Sequence, residues 1–434
     1  MSMKKTIIES TLKGDLCIGC GICAAICPQN AINMDHNKRN VYSPIIDYNL
    51  CINCGECVKY CPNGFERLKG HAAEVAKVSD FRMYGLEKAD YYIAYNKNDS
   101  ERIRSASGGI GTWIIKKMFE NDYIDAVVHA EMDCAKTGEI HYISSISKTY
   151  DEADKKRRSF YCSISFEKTL KKIVEEDIHR CLLIGTPCVI RAIKFLFNNH
   201  KNYKGRKIYT VALACGHNVY GNFVDYLADS LDIQRGIKYY IDLRNKDNIS
   251  DAGNFKNVFL DINGNEIKSI DRYESEFTDQ WRNYSFSMRG CLMCSDFWGA
   301  EADVSLKDAW GKWSDEDPLG ENIVVVRNKE LNNLFINSDD IFIEGLAEDI
   351  VKDSELPSQK LKHFYAKKKK KLKSPCFIPF LSKKHFHYSI MQMFSQKLYK
   401  KMNDKGRYDK SLIKVTLFIA KWMGRIEKYL KIGR

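Results

Sequence analysis

The sequence predicts an α+β chain in three parts: a small cysteine-rich domain at residues 1–70, a larger α/β domain at 71–360 and a basic helical tail at 361–434. Three observations predict it. Eight of the 16 cysteines fall between Cys17 and Cys61, in two matching runs. Strand-like and helix-like segments alternate through the middle of the chain, the order that builds a sheet with helices packed on it. Finally, 21 of the 68 Lys/Arg but only 3 of the 56 Asp/Glu lie between Leu361 and Arg434, which gives that segment +18 and leaves residues 1–360 at −6.

Composition narrows the function classes. At 434 residues, 44% hydrophobic and 29% charged, the chain has ample apolar content for buried cores and is neither disordered nor collagen-like. A net charge of +12 would ordinarily point to nucleic acid or to a membrane surface. Here the body is mildly acidic, the basicity belongs to an appendage, and nothing resembles a nucleic-acid reading motif. The start, MSMKKTIIES, lacks the apolar stretch of a signal peptide, and no run of about 18 apolar residues occurs. The expectation is a cytoplasmic protein whose clustered cysteines are reduced metal ligands rather than disulfides.

The first element is a repeat. Cys17, Cys20, Cys23 and Cys27, then Cys51, Cys54, Cys57 and Cys61, follow C-x2-C-x2-C-x3-C-P twice, 34 residues apart. This is the bacterial ferredoxin run. Three thiolates two residues apart can wrap one face of a small cube, with glycine between them letting the backbone curl closely. The fourth thiolate starts a short helix and points at the other cube. Cys17, Cys20, Cys23 and Cys61 are thus expected to hold one 4Fe-4S cluster, and Cys51, Cys54, Cys57 and Cys27 the other. A pair of zinc sites is the competing reading, but zinc takes ligands in pairs and has no use for a fixed third Cys with a C-P ending. Such clusters pass single electrons and do no substrate chemistry alone, so a redox partner group is expected elsewhere.

After a spacer near 66–89, Tyr91 to Tyr95 reads as a strand, Arg104 to Gly109 (RSASGG) as a loop, Ile110 to Glu120 as a helix and Asp125 to Ala130 as a strand. Ser105, Ser107, Gly108 and Gly109 then sit at a helix start, where free N–H groups favour a cofactor phosphate; Ser and Gly are equally ordinary caps. Cys181 to Gly185 reads as a buried strand leading through Thr186, Pro187 and Cys188 into a helix. Lys207 to Ala214 is another, leaving through Cys215 to Asn218 into a helix from Gly221 to Ser230. Ligands gather outside the carboxyl ends of such strands. Cys291 and Cys294 add a C-x2-C pair, so Cys188, Cys215, Cys291 and Cys294 suffice for a further cluster. The alternatives are buried small hydrophobes or half of a zinc or redox site. Cys134, Cys162, Cys181 and Cys376 are read as structural.

Six motifs in order, RSASGG, RRSFYCS, LLIGTPCVIRAI, ALACGHNV, MRGCLMCSDF and ADVSLKDAWG, resemble the beta-subunit family of coenzyme F420 hydrogenases and dehydrogenases over roughly residues 90–325. The resemblance implies a ferredoxin fold followed by an α/β flavin-binding domain, in an iron–sulfur flavoprotein oxidoreductase. It would pass electrons between 4Fe-4S clusters and FAD, to or from the deazaflavin F420 or another organic acceptor. It implies that Cys188, Cys215, Cys291 and Cys294 ligate a third 4Fe-4S cluster beside FAD. Ser107 and Gly108 above all, with Ser105, Gly109, Thr186, Pro187 and the matching Asp308, would face the flavin. Two positions depart from the common pattern: Gly216-His217 stands where many members read H-G, and Lys307 stands where many have Gly before the Asp. A flavin fits between a two-electron hydride donor and one-electron clusters. His217 is read as a proton donor near it, or as a satisfied loop histidine.

In the tail, Lys367 to Lys371 reads as a solvated run. From Lys410 to Arg434, Leu412, Val415, Ile419, Trp422, Met423, Ile426 and Leu430 share one helical face, opposite Lys414, Lys421, Arg425 and Lys428. Such a helix suits peripheral contact with a membrane or docking on protein. Two function classes stay open: the oxidoreductase, with a ferredoxin-like or deazaflavin redox partner, and an electron-transfer subunit that feeds a catalytic subunit. A membrane-tethered scaffold is a third. Members of the family beside sugar-polymer genes extend the acceptors to a sugar intermediate.

Overall fold

The computed structural model describes residues 7–354 except 38, 81–82, 134–140, 158, 235–236, 247–251, 283–285 and 311–316, together with Lys362 and Lys371. Cys134, Cys376 and the helix expected over 410–434 lie outside the described residues.

The cysteine-rich part is built around a hairpin, β1 (Ile32–His36) against β2 (Tyr42–Ile46), flanked by two short helices, Ile22–Ala25 and Glu56–Lys59. Each helix follows a glycine held in the left-handed region, Gly21 at φ 73° and Gly55 at φ 79°. The sequence repeat is therefore also a structural one. The remaining strands are β3 (Asp90–Asn96), β4 (Ala126–Asp133), β5 (His141–Ser147), β6 (Arg180–Gly185), β7 (Lys207–Leu213), β8 (Tyr239–Asn245), β9 (Lys256–Asp261), β10 (Glu266–Asp271), β11 (Val304–Asp308), β12 (Asn322–Val326) and β13 (Ile341–Gly345).

Eight of these form one mixed sheet, in the order β13-β3-β12-β11-β7-β6-β4-β5. β11, β7, β6 and β4 run parallel, and β3, antiparallel to the same β12 as β11, runs with them. β8, β9 and β10 make a separate antiparallel sheet. The central strands read as continuous apolar runs because both faces of the sheet are covered. Cys181 and Leu183 face one core with Ile190, Ile193 and Leu196 of the helix Pro187–Asn199. Leu182 between them faces the other core, with Trp113, Ile114 and Met118 of the helix Ile110–Glu120. Cys162 and Cys181, at 2% and 1% exposure, behave as the expected structural thiols.

The cysteine-rich part has no separate core of comparable size. Ile18, Ile22, Ile26, Val41 and Tyr60 enter the same core as Phe166, Leu170, Ile173 and Val189. Backbone joins it too: Phe166 N donates to Cys20 O at 2.9 Å, and Ser163 Oγ to Ile18 O at 2.8 Å. At Gly21 a Cβ would lie 2.3 Å from Ser165 Oγ and 2.9 Å from Glu167 N, so the approach needs glycine.

The expected central strands and helices are present within a few residues of their sequence limits. Within the expected spacer, residues 65–75 form the helix Phe65–Val75. Leu68, His71, Ala72 and Val75 line its buried face, a stripe diluted by Glu66, Arg67 and Lys69. Lys362, in the expected tail, is buried at 5% exposure. Among the described residues no helix is long and apolar enough to cross a membrane.

Gly21→Ala is expected to lower the melting temperature of anaerobically purified protein more than Gly55→Ala does. Both carry left-handed strain of about 1–2 kcal/mol, but at Gly55 a Cβ meets nothing within 4 Å. Calorimetry of the two variants side by side isolates the docking contact.

Candidate functional site

The parallel strands deliver their carboxyl ends to one edge of the sheet, where crevices form. β6 runs out into Thr186, whose successor Pro187 opens the next helix at a position that needs no N–H donor. Cys188 therefore sits in the first turn. β7 runs out into Cys215, whose N–H donates to Phe297 O at 3.0 Å. Cys291 lies on the short helix Arg289–Met293, with Cys294 at its cap. This turn approaches the cysteine-rich part so closely that a Cβ on Gly290 would lie 2.3 Å from Asn63 Nδ2 and 2.4 Å from Leu16 O. Asn218 N donates to Cys291 Sγ at 3.4 Å, tying the β7 exit loop to the C-x2-C turn.

Cys188, Cys215, Cys291 and Cys294 line one cavity, together with Thr186, Pro187, Ile18, Asn63 and Lys362. Burial pushes the Cys215 thiol up to about 12 and raises Cys188 and Cys291, each reinforced by its thiol neighbours. Cys294 goes down. Burial opposes this, but Lys362 and Arg191 outweigh it. Arg191, one turn beyond Cys188, is 8% exposed, and none of its guanidinium nitrogens has a hydrogen-bond partner among the described residues. A buried cation beside four converging thiols fits an anionic iron–sulfur group. Among the described residues no three His, Cys, Asp or Glu side chains converge as a single metal ion would require. A cubane takes one thiolate per iron, so its sulfurs need not meet at one point.

The repeat cysteines divide as their spacing predicts. Cys17, Cys20, Cys23 and Cys61 lie in electrostatic reach of one another, and Cys57 in reach of Cys54, Cys51 and Cys27. Burial pushes Cys17 up to about 12 and the less buried Cys57 to about 11. Backbone N–H groups point at sulfur, Gly19 to Cys17 at 3.4 Å and Ala31 to Cys27 at 3.2 Å. Cys23 lies in electrostatic reach of Cys57, and Cys20 of Cys188, so the middle set neighbours both the outer one, with Cys54 exposed, and the cavity set at the sheet edge.

Residues 91–171 and 178–344 match the models of the N-terminal and C-terminal parts of the coenzyme F420 hydrogenase/dehydrogenase beta subunit, and residues 16–71 match a 4Fe-4S dicluster domain. The chain belongs to the F420 hydrogenase/dehydrogenase beta-subunit family. A chain of the F420-reducing NiFe hydrogenase complex from Methanosarcina barkeri, solved as a xenon derivative, is similar at 18% identity and a TM-score of 0.48. The match covers 65% of this chain and 92% of that one. No curated protein matches the sequence.

The family's RSASGG segment lies at the same sheet edge, after β3. Gly109, at φ 83°, caps the helix Ile110–Glu120, and Gly108 O accepts from Asn96 N at 2.8 Å. The two hydroxyls are committed to backbone: Ser105 Oγ donates to Glu101 O at 2.7 Å and Ser107 Oγ to Glu321 O at 2.9 Å. Lys246 clamps the loop. Its buried ammonium donates to Arg102 O, Ser107 O and Leu319 O at 2.9, 2.6 and 2.6 Å, while burial, reinforced by Arg244, pushes it down to about 7. Asp308, at the end of β11, accepts from Arg244 Nη1 at 2.8 Å. Lys307, the departure from the family glycine, turns away and donates to Ser354 O at 2.7 Å.

Arg244 and Lys246 escaped sequence reasoning. Arg244 has φ 65°, and the β8–β9 register slips between Leu243 and Asn245. A bulge of this kind re-aims a side chain inward, and here it turns Arg244 onto Asp308. Asn245 and Asp247 are of turn-favouring types, but nothing in LRNKD marks Arg244 as the bulged position. Arg191 sits inside a motif that was quoted, but its lack of a partner is a property of the fold alone.

His217, read as a proton donor or a satisfied loop histidine, lies in the Cys215 exit loop. It is buried at 5% exposure against Trp281, ring centroids 4.3 Å apart, and burial with Lys362 nearby holds it down to about 3. At neutral pH its ring is uncharged.

Lys246→Met is expected to leave three carbonyls short of a donor, each worth about 1–3 kcal/mol when buried. Amide hydrogen exchange across residues 102–109 should accelerate by tenfold or more. Unchanged exchange would show that the loop holds itself.

Proposed function

We propose that this chain is an iron–sulfur flavoprotein oxidoreductase, moving electrons through three 4Fe-4S clusters and FAD to or from coenzyme F420 or another organic substrate. The observation that carries this is the cavity of Cys188, Cys215, Cys291 and Cys294 at the sheet edge, beside the Cys17–Cys20 turn. In this reading Cys17, Cys20, Cys23 and Cys61 hold the middle cluster, Cys51, Cys54, Cys57 and Cys27 the outer one, and the cavity cysteines the third.

When bound, the clusters would carry single electrons, and FAD would couple them to two-electron exchange with the substrate. The chain supplies binding and position. Ser105, Ser107, Gly108 and Gly109, held by Lys246, would form one wall of the flavin site; Asp308, fixed by Arg244, and Thr186 and Pro187 above Cys188 would form others. The fit is partly of charge: Arg272 lies 4.5 Å over the Trp310 ring and would offset part of the charge of a diphosphate, while Arg244 and Lys246 are held by Asp308 and by the loop carbonyls. His217 would pack beside the Cys215 turn.

A second reading, an electron-transfer subunit serving a catalytic partner, draws on the exposure of the outer set. Cys54 is exposed, and Tyr48, Leu50 and Ile52 are 52%, 50% and 60% exposed around it. The match to models of a beta subunit supports a partner of this kind.

Iron, sulfide and flavin content of anaerobically purified protein tests the proposal. About twelve iron and one FAD per chain are expected, with about eight iron left in Cys291→Ser. Reduction of an acceptor by the purified chain alone favours the enzyme, whereas about eight iron in both proteins and no flavin would sink it. Flavin without turnover leaves the electron-transfer subunit.

A further inference from the structure

The family match ends at residue 344, and every cysteine of the cavity lies before that limit. One lining residue lies after it. Lys362 is 5% exposed, its Nζ 3.5 Å from Cys294 Sγ and donating to Asp296 O at 2.8 Å. The neighbouring Asp296 carboxylate is occupied, with Oδ1 accepting from Gly299 N at 2.8 Å. The Lys362 ammonium thus donates to a cysteine sulfur and to a backbone carbonyl. A lysine buried only for packing would bring its stem and keep its ammonium in water; this one brings its charge to the thiol.

We propose that Lys362 sets the reduction potential of the cluster held by Cys188, Cys215, Cys291 and Cys294, raising it through a cation and an N–H donor on the Cys294 sulfur. This rests on the three-cluster reading. Taking up one electron adds a negative charge to a buried site. A cation in contact with a ligand sulfur stabilises the reduced state more than the oxidised one, and does so strongly where water is scarce. Hydrogen bonds to sulfur are one of the means by which proteins tune such potentials. Lys362 thereby draws electrons toward this cluster. It is a positioning residue for charge and touches no substrate.

The test is an anaerobic redox titration of the full chain, followed by electron paramagnetic resonance, with iron counted in the same samples. In Lys362→Met, iron should stay at the wild-type level while one of the three midpoints falls by about 59 mV or more, tenfold for a one-electron couple. The other two midpoints should not move, and Lys362→Arg should restore most of the shift. If Lys362→Met sheds iron, Lys362→Gln, which keeps a donor without the charge, should still lower that midpoint, by the part the charge supplies. Retained iron with unmoved midpoints in Lys362→Met or Lys362→Gln overturns the proposal and makes Lys362 a packing residue. Eight iron in wild type would instead remove the third cluster, and the proposal with it.

Discussion

The packing of Ile18, Ile22 and Ile26 against Phe166, Leu170 and Val189 is the contact on which the rest of the molecule depends. Fully buried isoleucines are worth about 1.5–3 kcal/mol each, and a cysteine-rich part of about 70 residues buries too little to stand without help. The shared core answers that need and also fixes geometry. Ile18 lies between Cys17 and Cys20 and lines the cavity of Cys188 and Cys291. The residue that anchors the N-terminal part is thus the one that brings the middle thiol set to the third.

The sheet completes the arrangement. Parallel strands with buried faces need crossover helices, and each crossover leaves a loop at the same edge. Four strands deliver the Arg104–Gly109 loop, Asp308, the Cys215 turn and Thr186 to that edge. The small sheet β8–β10 then adds Arg244 and Lys246, one fixing Asp308 and the other the loop.

What was legible in the sequence follows from this division. The cysteine runs could be read because iron ligation fixes spacing along the chain, and the central strands because burial on both faces leaves an unbroken apolar signature. The helix Phe65–Val75 was not legible, since only four positions in eleven are buried and one of them is the polar His71. Arg244 was hidden by a bulge that depends on its partner strand. Arg191 and Lys362 look ordinary in sequence, and only the fold shows that their charges are buried beside thiols.

The outer cysteine set differs from the others in one respect: Cys54 is exposed, while Cys23 and Cys294 are buried. An oxidant diffusing in from solvent meets this set first. Damage would therefore begin where the chain meets its surroundings and disconnect it before reaching the sheet edge. On the three-cluster reading, the exposed set would be the first to react, and its loss alone would cut the path from solvent.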